Sequence, residues 1–176
     1  MRSETLLDLG CGTGLELEEV FKHYPDVQVT GIDLTQAMLD KLSTKYGDKQ
    51  ITLICASYLG YDFGVEEYDC AISFETMHHF PWEEKLALYK NIHRALKSCG
   101  RYIEGDYMVE TQAEEDDLHS KRETYYTGQE DNNGELYHFD TPFTVENQIK
   151  LFLAAGFTRA EPVWRNGNTT IIIAYK

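Results

Sequence analysis

Three glycines in five positions, Gly10-Cys11-Gly12-Thr13-Gly14, stand directly behind the apolar run Leu6 to Leu9. Glycine takes backbone angles closed to other residues and lets a ligand approach the main chain, so a cluster between strand and helix marks a ligand-holding turn. Three glycines exceed what turning the chain requires. The spacing is G-x-G-x-G with Leu15 next, not the G-x-G-x-x-G of dinucleotide turns, which weighs against a nicotinamide cofactor.

The rest of the chain fixes the setting of that turn. Short β-type runs alternate with stretches of helical spacing, the pattern of an α/β domain with a mainly parallel sheet. Strands are expected at Thr5 to Leu9, Val27 to Ile32, Ile51 to Cys55, Tyr68 to Phe74 and Arg101 to Asp106. Between them, Leu17, Val20, Phe21 and Tyr24 share one helical face. Gln36 to Tyr46 forms a second helix with Met38, Leu39 and Leu42 inward. Trp82, Leu86, Tyr89, Ile92 and Leu96 line a third, opened by Pro81 and ended by Cys99-Gly100.

From about Val109 to Asp140 polar and acidic residues dominate, and this segment reads as an insertion without clear helical order. Thr144 then caps a helix carrying Val145, Ile149, Phe152 and Leu153 on one face, and Gly156 stops it. Two strands, Thr158 to Trp164 and Thr169 to Tyr175, close the chain as a hairpin about Asn166-Gly167. The expectation is one domain over residues 1–176, with a seven-stranded, mainly parallel sheet and an antiparallel C-terminal hairpin.

Charge and cysteine usage narrow the function classes. Thirty acidic against sixteen basic residues give a net charge of −14, a field that repels polyphosphate and anionic lipid. Nucleic acid is therefore not an expected partner. Cys11, Cys55, Cys70 and Cys99 form neither a CxxC pair nor a disulfide framework, which suits a reducing, cytoplasmic setting. The first residues lack a signal-peptide layout, and no apolar run reaches membrane-spanning length.

Asp8-Leu9-Gly10-Cys11-Gly12-Thr13-Gly14 resembles the first motif of the class I S-adenosylmethionine-dependent methyltransferases. The resemblance runs from the first strand to the final hairpin and implies a three-layer Rossmann-like sandwich with S-adenosyl-L-methionine as cofactor. By it, the loop wraps the methionine half of the cofactor, with Asp8 near the ammonium and Gly10, Cys11, Gly12 and Gly14 around it. A carboxylate accepts hydrogen bonds from a cationic amine, and a helix N-terminus suits the cofactor's carboxylate. A nucleoside cofactor in such a fold also needs an acid at the end of the second strand for the ribose, and Asp33 stands there. In Gly31-Ile32-Asp33-Leu34 and beyond, Leu34 and Met38 fall at positions that the family places against the nucleoside. Ala56-Ser57-Tyr58 falls where adenine is contacted, with serine in place of the frequent aspartate, and Phe74 ends the fourth strand beside the cofactor.

The acceptor side is read from Ser73-Phe74-Glu75-Thr76-Met77-His78-His79-Phe80. It lacks the Pro-Pro-aromatic tetrapeptide of amino-directed DNA and protein enzymes and the Pro-Cys of cytosine-carbon enzymes, and resembles the element of the broad small-molecule group. His78 and His79 are candidate bases for an acceptor's proton, with capping and packing of the next helix as the alternative. No Asp/Glu cluster stands near them in sequence, so no metal is expected. The 109–140 insertion, with Tyr125, Tyr126, Tyr137, His138 and Phe139, is expected to form a lid over the acceptor. Family members usually carry a helix or more before the glycine strand that helps close the cofactor pocket, so the expectation is either a shortened chain or a cover supplied by the insertion or by a second subunit of a homodimer. The reading is methyl transfer to a small-molecule acceptor. A catalytically silent cofactor-binding protein and an RNA or protein methyltransferase are the alternatives.

Overall fold

A computed structural model describes residues 4–127 and 139–176. The alternating pattern folds into β1 (Thr5–Leu9), α1 (Leu17–His23), β2 (Gln28–Asp33), α2 (Gln36–Lys45), β3 (Ile51–Cys55) and β4 (Tyr68–Phe74). A single 3-10 turn, Met77–His79, follows. Then come α3 (Trp82–Ala95), β5 (Leu96–Tyr107), α4 (Gln112–Thr127), α5 (Val145–Ala154), β6 (Arg159–Asn166) and β7 (Thr169–Tyr175). The strands order as β3-β2-β1-β4-β5-β7-β6 in one sheet. β1 to β5 pair in parallel, whereas β7 lies antiparallel to both β5 and β6. The order reverses between β1 and β4, which stay paired to Leu9 and Ser73 while the helices that follow them pack on opposite faces, the switch point where such sheets hold ligands.

Strand alternation sends side chains to two separate cores. Leu6 of β1 packs with Leu17, Phe21, Leu39 and Leu42 beneath α1 and α2. Leu7 and Leu9 turn the other way, into a core with Tyr89 and Ile92 of α3, Tyr102 of β5 and Phe152 of α5. Tyr89 and Phe152 stack with ring centroids 4.7 Å apart. This gives the expected three layers, helices on both faces of a mixed sheet.

Four local expectations need correction. The third helix ends at Ala95 rather than at Cys99-Gly100. Leu96 already has extended backbone (φ −71°, ψ 143°), is fully buried, and pairs with Tyr68 as the first residue of β5. Its apolar side chain fits the helical period equally well, so spacing alone could not separate them. Met38 and Tyr24 do not point inward; they are 43% and 51% exposed. The hairpin closes over Gly167-Asn168, since Asn166 pairs with Thr169, with Gly167 at φ +57° in the first turn position.

The fourth concerns the segment read as lacking helical order, where Gln112–Thr127 is a four-turn helix. Polar pairs one turn apart carry it: Gln112 donates to Asp116 (2.8 Å) and Lys121 to Asp117 (2.6 Å). Glu115, only 6% exposed, accepts from the backbone N–H of Thr144 at 2.6 Å and from Asn147 at 2.7 Å, pinning α4 to the start of α5. Thr144 caps α5 as expected, accepting from the Asn147 N–H. Tyr137 and His138 lie outside the described residues, as does the Tyr126 side chain.

Candidate functional site: the glycine loop and the histidine pair

All three loop glycines have positive φ, at +72°, +48° and +68° for Gly10, Gly12 and Gly14. Gly10 is confined: a Cβ there would meet the Thr76 side chain at 3.0 Å, so a side chain would push the β4 exit away from the loop. Gly12 is open, with nothing nearer than Met38 Sδ at 3.8 Å from a Cβ built on it. Backbone is thus bared on one side of the loop, with the exposed Met38 thioether at its rim. Cys11 points the other way, 2% exposed, its Sγ filling the space left by Gly31.

Asp33, the last residue of β2, ties this loop down. One carboxylate oxygen accepts from the Gly12 N–H at 3.0 Å and the other from the Thr35 N–H at 2.8 Å. Each oxygen keeps a further lone pair, so the half-buried carboxylate holds the loop and can still accept from a ligand. Asp8 is placed differently. It is 1% exposed, and its Oδ2 has no hydrogen-bond partner among the described residues. Burial raises its pKa well above the ordinary carboxylate range, and neighbouring Glu16 and Asp33 push it the same way. An acid in that state is matched to a cationic amine brought beside it.

The remaining predicted cofactor contacts divide. Leu34 is 70% exposed beside Asp33, and Phe74 is 42% exposed, lying so close over Gly105 that a Cβ there would sit 2.5 Å from its ring. Ala56 donates its N–H to the Asp33 carbonyl (3.0 Å), and the exposed Ser57 accepts from the Leu59 N–H (3.2 Å). The Tyr58 phenol turns into the fold and bonds Thr76 Oγ1 at 2.6 Å, so its ring supports the β4 exit.

The chain leaves β4 through Glu75, a non-glycine residue at φ +49° that precedes Thr76. That strained residue swings the 3-10 turn across the strand ends. His78 lands there 7% exposed, with Nδ1 2.5 Å from Asp106 Oδ1 near the end of β5. Asp106 is 1% exposed and also accepts from the Tyr107 N–H at 2.9 Å. Burial lowers the affinity of His78 for a proton, but the hydrogen bond and charge of Asp106, with Asp140 and Glu75, outweigh it and raise the pKa. His79, half-buried, holds its Nδ1 3.1 Å from Asp140 Oδ1. Asp140 is fixed because its successor Thr141 donates N–H and Oγ1–H to the His78 carbonyl (2.6 and 3.1 Å).

Sequence reading missed Asp106, Asp140 and Glu75. Asp106 and Asp140 meet their histidines from 28 and 61 positions away, beyond any spacing rule. Asp106 did leave a signal: Tyr102, Glu104 and Asp106 alternate along the buried face of β5, and a buried acid at a strand's C-terminal end is a site mark.

A bared glycine loop, an acid ending β2 and a switch point between β1 and β4 define a nucleoside-cofactor α/β domain. Residues 6–100 match the methyltransferase domain family. The chain belongs to that family and is a class I S-adenosylmethionine-dependent methyltransferase domain. It is 34% identical over 79 residues to the malonyl-[acyl-carrier protein] O-methyltransferase of Anoxybacillus flavithermus, covering 45% of this chain and 29% of that protein. It is 29% identical over 182 residues to the carboxy-S-adenosyl-L-methionine synthase of Helicobacter hepaticus, covering 96% of this chain and 74% of that one. Human N-acetylserotonin methyltransferase, solved in complex with S-adenosylmethionine, shares the fold with a TM-score of 0.71 at 17% identity, over 98% of this chain and 47% of that one. The chain spans about half or less of the length of several curated relatives that it matches.

Proposed function

We propose that this chain transfers the methyl group of S-adenosylmethionine to a small-molecule acceptor, and that His78 and His79 handle the acceptor's proton. The observation that carries the reading is the placement of two unlike half-sites at one sheet edge. The bared glycine loop with Asp33 lies at the ends of β1 and β2, and the His78–Asp106 pair lies at the ends of β4 and β5, joined through Thr76 against Gly10.

The loop residues fit the cofactor. Gly12 leaves room for it against the main chain, the orphaned Asp8 Oδ2 suits its ammonium end, and Asp33 suits its ribose hydroxyls. The cofactor supplies an activated methyl on a sulfonium, so the protein's share is to hold an acceptor in line and exclude water. The 109–140 segment is proposed as the acceptor's cover. The fastening of α4 to Thr144, the Tyr125–Phe139 ring contact (4.6 Å) and the docking of Thr141 on His78 support this. A net charge of −14 disfavours RNA as acceptor. Among the described residues no helix is long and apolar enough to cross a membrane.

Calorimetry tests the cofactor side. S-adenosylmethionine should bind at one site per chain and NADH should not. Asp33→Ala should weaken binding by about 10 to 100-fold, the cost of two charge-assisted hydrogen bonds plus a loosened loop. Binding of NADH alone, or an unchanged dissociation constant in the variant, counts against these assignments. Release of S-adenosylhomocysteine in an acceptor screen separates an enzyme from a silent binder.

A further inference from the structure

We infer that His78, His79 and Asp140 form a binding site for one divalent first-row transition-metal ion, with Asp106 as the positioning residue behind His78. The donor atoms already converge: a nitrogen of each histidine and an oxygen of Asp140 lie within 4.8 Å of one another. His79 Nδ1 is 3.1 Å and His78 Nε2 is 3.7 Å from Asp140 Oδ1, and the two rings sit with centroids 4.0 Å apart. Ligands sharing one ion at metal–ligand distances of about 2.0 to 2.2 Å lie roughly 3 to 3.5 Å apart, so small side-chain adjustments would seat it. Two imidazoles and one carboxylate favour zinc, cobalt or iron over magnesium or calcium, which prefer oxygen ligands.

The surroundings have the form of a built site. His78 Nδ1 bonds a buried carboxylate, which fixes the tautomer that presents Nε2 to an ion, the usual carboxylate–histidine–metal arrangement. Asp106 Oδ2 is buried with no partner among the described residues, leaving negative charge beside the cluster that hydrogen bonding has not satisfied. Asp140 is held by the backbone bond between Thr141 and His78, so the third ligand is positioned before an ion arrives. With the ion bound, His78 Nε2 is a ligand rather than the base for the acceptor's proton, and the three protein ligands leave coordination positions for an acceptor oxygen, whose proton the ion would make easier to lose. That last role rests on the proposed methyl transfer, whereas ion binding itself does not.

The test uses the full chain, stripped with a chelator and checked for folding by circular dichroism. Calorimetric titration with Zn2+ and visible absorption with Co2+ should each give one ion per chain, and Mg2+ should not compete at equal concentration. His79→Ala and Asp140→Ala should each weaken binding at least about tenfold, and Asp106→Asn by about 10 to 100-fold with a shifted Co2+ band. No stoichiometric binding to the folded chain overturns the site. So does wild-type affinity in the His79 and Asp140 variants, which would place the ion elsewhere, for instance on the exposed thiols of Cys55 or Cys99. If the stripped chain binds no ion yet transfers methyl groups in a His78-dependent way, the metal site falls and the proposed function stands. Failure to bind S-adenosylmethionine would instead remove the function and leave the ion titration to be read by itself.

Discussion

Replacing His78 with alanine should lower methyl transfer by about 100 to 10,000-fold, the range set by losing a positioned proton acceptor, while S-adenosylmethionine binding stays unchanged. The two effects separate because the residues that carry them do. Cofactor binding is assigned to Gly10 to Gly14 and Asp33, none of which hydrogen-bonds His78 among the described contacts. His78 instead gives Nδ1 to Asp106 and faces Nε2 toward Asp140, 3.7 Å away. An imidazole bonded through Nδ1 to a carboxylate keeps Nε2 as its available lone pair. Its small exposure leaves it desolvated, as a group acting beside a sulfonium should be. The variant is read with calorimetry for the cofactor and S-adenosylhomocysteine release for turnover. Retained turnover would move the acceptor away from the 3-10 turn.

The glycine-loop half of the candidate site was legible in sequence as a conformation because its determinants are local. A backbone that needs three positive-φ residues in five can hardly be written without Gly10, Gly12 and Gly14, and the strand end that needs an acid shows Asp33 within one βα unit. Met38 was legible as a position but not as an environment: helical spacing gave it to the core, whereas it sits exposed at the rim of Gly12.

The histidine half of the candidate site was only partly legible. The histidine pair announced itself, but its partners Asp106 and Asp140 arrive through sheet pairing and through the return of the chain after α4. α4 itself was invisible to a search for an apolar stripe, since a buried glutamate, Glu115, fastens it. The β5 start was misplaced for a related reason, because Leu96 satisfies both a helix period and a strand, and only its pairing with Tyr68 decides.

The same β5 face explains a stability effect of comparable size. Glu104, fully buried, accepts from the phenols of Tyr89 (2.7 Å) and Tyr102 (3.0 Å) and from Gln148 Nε2 (2.8 Å). Gln148 Oε1 in turn accepts from the buried Lys85 ammonium at 3.3 Å, and the Tyr102 phenol bonds Ser73 of β4 at 2.6 Å. Glu104→Ala removes the shared acceptor of two phenols and an amide and the charge facing buried Lys85, and should destabilise the fold by about 3 to 5 kcal/mol, read from chemical denaturation. Glu104→Gln keeps an acceptor and should cost far less. The carboxyl is pushed up from 4.5 to about 7, chiefly by burial and further by the charge of Asp106, against the opposing pull of Lys85 and the two phenols. The folded state therefore holds this proton more tightly than the unfolded chain does. Its stabilisation is complete below the unfolded value and is lost as pH rises through about 7. Asp8, also raised by burial, acts in the same direction. The melting temperature should fall from mildly acidic to neutral pH, and Glu104→Gln should flatten that slope, leaving the part due to Asp8 and to His78, both raised in the fold, against the opposing part from His93, lowered by burial. A wild-type melting temperature that rises across the same interval would mean that Glu104 is ionised throughout, held by Lys85 more strongly than burial opposes it.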